Sequence, residues 1–109
     1  MSQRIEKVNE LIKHELGNIL LREVDLPRDI LVTITRTDTS PDLRRSTIYI
    51  SVLPETKNKE AVEYIKSTLF SIQHALNKKL HMKHIPKVEF KLDKQAQVEQ
   101  KVFKILNEK

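Results

Sequence analysis

The chain has 109 residues, 39% of them apolar and 32% charged, with a net charge of +5 and no cysteine. That is one domain with a single small core. It is too apolar for disorder and too polar for a membrane protein, and it has no thiol for a disulfide, a nucleophile or a cysteine-held metal. The N-terminus, MSQRIEKVNEL, carries acids and lacks the apolar stretch of a signal peptide, so the cytoplasm is the expected compartment. Glycine occurs once, at Gly17, which excludes a P-loop, a dinucleotide fingerprint and a nucleophile elbow, since each needs several.

The first predicted element is an amphipathic helix over roughly residues 3–21. Ile5, Val8, Ile12, Leu16, Ile19 and Leu20 repeat at three- and four-residue spacing, with Leu11 at the stripe's edge. Gly17 weakens this helix locally and points to close packing there. A polar link around Pro27 leads to a β-branched strand over 30–36, with Ile30, Val32 and Ile34 on one face. Thr39-Ser40-Pro41-Asp42 supplies turn chemistry, and a second strand over 44–53 alternates Ile48, Ile50 and Val52 with Thr47, Tyr49 and Ser51. The two strands form an antiparallel hairpin.

Thr56 or Asn58 then offers a cap for a long helix carrying Val62, Ile65, Leu69, Ile72, Leu76 and Leu80. It is expected to bend near Thr68–Ser71, where hydroxyls compete for backbone carbonyls, and to end before Pro86. Val88, Phe90 and Leu92 alternate in a third strand, and Asp93 can cap a closing helix over 93–109 bearing Val98, Val102, Ile105 and Leu106. The order is α-β-β-α(kinked)-β-α in a single α+β domain, 1–109. Helices cover one face of a three-stranded sheet and water meets the other.

Charge is uneven. Residues 1–56 hold eight Lys/Arg against nine Asp/Glu, and residues 57–109 hold twelve against six. The segment NKKLHMKHIPK, 77–87, has four lysines and no acid. Helix-end lysines meet the negative end of the helix dipole, but an acid-free stretch from Gln73 to Val88 also fits a surface facing a polyanion. Lys66, Lys78, Lys79, Lys83 and Lys87 are the primary candidates for contact with such a polyanion, which charge alone leaves open as nucleic acid, anionic membrane or acidic protein. Arg4, Lys7, Arg36, Arg44 and Arg45 are secondary ones. Lysines give point-charge contacts to phosphate with little sequence information. His74, His81 and His84 are expected in solvent rather than on a metal. Asp38 and Asp42 flank a turn that explains them, and no spacing ties a nucleophile to a base, so neither enzyme nor cofactor is expected.

Four stretches, in order, resemble the bacterial ribosome-binding factor A family, a type II KH-like fold: RIEKVNELIKHELGNILLREV; VTITRTDTSPDLRRSTIYISVL with Asp38, Ser40, Asp42, Leu43, Tyr49 and Ser51; IQHALNKKLHMKHIPKVEF through Phe90; and AQVEQKVFKILNEK. The resemblance implies a monomeric, non-catalytic factor that binds the small ribosomal subunit and its RNA in late maturation, supports ribosomal RNA processing notably in the cold, and touches no membrane. KH domains clamp backbone with a GxxG loop; this family has a kink marked Ala-x-Gly, where this chain reads Thr68-Leu69-Phe70, with Phe70 either filling space or stacking on a base, and packing beside the core stripe the favoured of the two. The other reading is a protein-interaction module using the open sheet face, with Thr33, Thr47 and Tyr49, or a sheet edge.

Overall fold

The computed structural model describes residues 3–22 and 24–95. Of the predicted closing helix over 93–109, the part beyond Gln95 lies outside the described residues. Helix α1 (Gln3–Arg22) buries Val8, Ile12, Leu16, Ile19 and Leu20 on the predicted stripe. Each such side chain contributes about 1.5–3 kcal/mol by leaving water. A Cβ built on Gly17 meets nothing within 4 Å, so the expected close packing is absent.

Strands β1 (Leu31–Thr39) and β2 (Arg45–Leu53) pair antiparallel, and β3 (Lys87–Leu92) pairs parallel with β2, giving a three-stranded sheet in the order β1-β2-β3. Ile48, Ile50 and Val52 form its fully buried centre. The β1 register shifts between Ile34 and Arg36. Strict alternation would send Arg36 and Asp38 to the core side with Ile34. The bulge at Thr35 moves them to the open face and turns Thr37 and Thr39 inward. There the Thr39 hydroxyl donates to the Asn9 side-chain oxygen on α1 and bonds Ser46 Oγ at 2.8 Å. These contacts fasten the first half of α1 to the hairpin's tip.

After a single 3-10 turn at Glu55–Lys57, the long helical pattern is two helices, α2 (Asn58–Ser67) and α3 (Leu69–Lys79). No side chain caps α2, and Asn58 is its first residue rather than its cap. Three donors crowd the Tyr64 carbonyl: Ser67 Oγ at 2.7 Å, Thr68 Oγ1 at 3.1 Å and the Thr68 N–H at 3.1 Å. This hydroxyl competition leaves Thr68 at φ −104, ψ 6, and breaks the helix where the sequence predicted a bend. Leu69 packs against the core, whereas Phe70 is 85% exposed, contrary to the packing expected of it.

Candidate nucleic-acid interface

The hairpin turn is built by Ser40 and Asp42. The Leu43 N–H donates to the Ser40 carbonyl at 2.9 Å, closing a β-turn with Pro41 at its second position. Ser40 Oγ donates to Asp42 Oδ1 at 2.6 Å, which also accepts the Arg44 N–H at 3.1 Å. The Ser40 hydroxyl, then the Arg44 N–H, hold the Asp42 carboxyl below its usual pKa. Leu43, at φ 61, turns the chain so that Arg44 and Arg45 follow directly.

The exit from α3 is held just as specifically. The Gln73 amide donates to the Pro86 carbonyl at 3.1 Å, and its oxygen accepts the Val88 N–H at 2.9 Å. One side chain thereby continues the pairing pattern of a strand. The Lys87 N–H donates to the Arg44 carbonyl at 2.9 Å, joining exit and hairpin.

Between these two segments and the start of α1 lies a groove of about 1150 Å³. Arg4, Lys7, Arg44, Arg45, Lys83 and Lys87 line it, with Asp42 as the one acid. Val8, Leu11, Leu43, Met82 and Ile85 supply its apolar part. Among the described residues, no carboxylate lies within salt-bridge distance of Lys7, Arg44, Arg45, Lys83 or Lys87. Cations clustered on hydrogen-bonded backbone around a concave surface suit a row of phosphate oxygens.

The other predicted cations lie elsewhere. Lys78 and Lys79 line a separate cleft on α3 with Phe70 and His74. Lys66 is exposed at the end of α2. Arg36 stands 3.8 Å over the Tyr49 ring on the open sheet face, with Asp93 3.9 Å away. Asp93 also accepts the Thr35 hydroxyl at 2.6 Å. Of the secondary candidates, Arg4, Lys7, Arg44 and Arg45 thus join the last two of the primary lysines, and Arg36 does not. Gln73, Met82 and Ile85 had no sequence signal, because their role depends on the exit loop folding back. Among the described residues, no group of three His, Asp or Glu side chains converges as a metal site would require.

A model of the family described as ribosome-binding factor A matches residues 4–106. The chain belongs to the ribosome-binding factor A family. It is 38% identical over 108 residues to ribosome-binding factor A of Prochlorococcus marinus strain MIT 9301, covering 96% of this chain and 83% of that one. The fold is similar to the crystal structure of ribosome-binding factor A from Thermus thermophilus, with a TM-score of 0.72 at 19% identity, covering 81% of this chain and 93% of that one. It is also similar to Thermus thermophilus ribosome binding factor A coordinates fitted into a cryo-EM map of a 30S complex, with a TM-score of 0.68 at 20% identity, covering 80% of this chain and 92% of that one. The α+β, KH-like architecture is that of ribosome-binding factor A.

Proposed function

We propose that this protein binds the small ribosomal subunit by laying its basic groove along the phosphate backbone of ribosomal RNA. It acts there in late maturation as a non-catalytic monomer in the cytoplasm, and its support of ribosomal RNA processing matters most in the cold. The observation that carries this reading is the convergence of Arg44, Arg45, Lys83 and Lys87 with Lys7 around one groove. The Thermus relative's placement in a 30S map supports the choice of partner. The open sheet face is the weaker docking surface, because Arg36 already covers its central Tyr49.

Sedimentation of the full chain with purified small subunits at low salt tests it. The protein is expected to pellet with the subunit, and a Lys83→Glu, Lys87→Glu variant with unchanged circular dichroism is expected to stay in the supernatant. A folded wild-type protein that stays in the supernatant overturns the reading.

A further inference from the structure

Among the described residues, Phe70 is the most exposed large apolar side chain, at 85%, with Leu21 at 84%. Its ring lies nearly parallel to that of His74, with centroids 6.5 Å apart and planes 4° apart, inside the range of offset aromatic pairs. The imidazole runs parallel to the phenyl ring, and the exposure leaves most of that ring in water. Phe70, His74 and Lys78 stand one helical turn apart, each about 6 Å further along the axis. Ser71, Ala75 and Lys79 run beside them. The small side chains of Ser71 and Ala75 leave a cleft of about 350 Å³ between these rows. No acid occurs between Tyr64 and Val88.

An exposed phenyl contributes little to folding, and the core contact at this turn is made by Leu69. A flat apolar surface beside two ammonium groups matches one chemistry well: an unpaired nucleobase whose backbone is anionic. Duplex bases are stacked on one another and present no free face. We propose that α3 carries a stacking site for one unpaired RNA base. The base lies on Phe70, and neighbouring phosphates of the same strand meet Lys78 and Lys79. This rests on the reading that the protein binds RNA, and adds to it a preference for single-stranded nucleotides at a second surface. Phe70 carries the added specificity; the groove cations carry none of it, since they meet only phosphate.

The test uses the full chain with two probes: a single-stranded oligoribonucleotide containing one 2-aminopurine, and a fully paired RNA duplex. Stacking is worth about 1–3 kcal/mol per base, so Phe70→Ala is expected to weaken the single-strand probe about 5- to 150-fold. It should also remove the change in 2-aminopurine fluorescence on binding, while leaving duplex affinity unchanged. Phe70→Tyr, which keeps an aromatic face, is expected to retain both single-strand signals. A Lys83→Gln, Lys87→Gln variant reports on the groove separately and is expected to weaken both probes. If Phe70→Ala leaves single-strand affinity intact, or lowers both affinities equally, the stacking site is overturned, and the groove reading stands wherever the lysine variant still weakens both probes. If the lysine variant changes neither probe while Phe70→Ala weakens the single strand alone, the stacking site stands and the groove reading falls.

Discussion

Gly17 and Leu43 have each other's expected residue. The chain's one glycine sits inside α1, where helical backbone needs none of its freedom and glycine is about 1 kcal/mol worse than alanine. Meanwhile Leu43 adopts φ 61, a conformation that costs a side-chain-bearing residue about 1–2 kcal/mol. Leu43 is held there because it packs against the core and because Ser40 and Asp42 fix the turn on either side through their hydrogen bonds to Leu43, Arg44, Arg45 and each other. Gly17 has no such reason, since an added Cβ meets nothing within 4 Å. Gly17→Ala is therefore expected to stabilise the protein by about 0.5–1 kcal/mol, partly through the unfolded chain. The urea midpoint should rise with an unchanged slope. A lower midpoint would mean that the space beside Gly17 is needed.

At the scale of elements, the exit from α3 is the joint on which the groove depends. Gln73 bonds two backbone groups that no strand or helix satisfies, the Pro86 carbonyl and the Val88 N–H. Gln73→Ala leaves both without a protein partner and is expected to cost about 1–3 kcal/mol. Hydrogen exchange should quicken at the Val88 amide, while the Ile72 amide, which donates to the Thr68 carbonyl at the start of α3, should keep its protection. Unchanged exchange at Val88 would show that β3 alone holds the exit. Elements of this kind differ in how much of them could be read in advance. The α1 stripe was legible because spacing alone fixes which side chains share a helix face. The break at Thr68 was legible as a bend near Thr68–Ser71, because hydroxyls there can reach back one turn; Thr68 does so, joined by Ser67, which the sequence pattern did not single out. The bulge at Thr35 was not: threonine is an ordinary strand residue, and neither glycine nor proline marks the shift that carries Arg36 and Asp38 to the open face. Phe70 was misread for another reason: it adjoins Leu69 in the sequence, but successive residues on a helix point about 100° apart, so Leu69 packs inward and Phe70 does not.

For the molecule as a whole, the sequence located the excess charge in the second half, but the groove draws on both halves. Arg4 and Lys7 come from a half whose own net charge is negative. They join the others because Asn9 and Thr39 fasten α1 to the hairpin, a contact spanning 30 residues that local pattern cannot foretell. Grouping the cations has a measurable consequence. Each one docked on a phosphate releases a condensed counterion, so log affinity falls with log salt by about 0.9 per contact on a duplex and about 0.7 on a single strand. Lys83→Gln with Lys87→Gln removes two contacts and is expected to flatten the slope by up to about 2 on duplex RNA. Neutralising Lys91 is expected to leave the slope unchanged, because its ammonium lies 3.5 Å from Glu89 on β3 and outside the groove. Affinity measured across a salt series for wild type and both variants decides the matter: equal flattening by Lys91→Gln would mean that overall charge, rather than the groove, draws the protein to RNA.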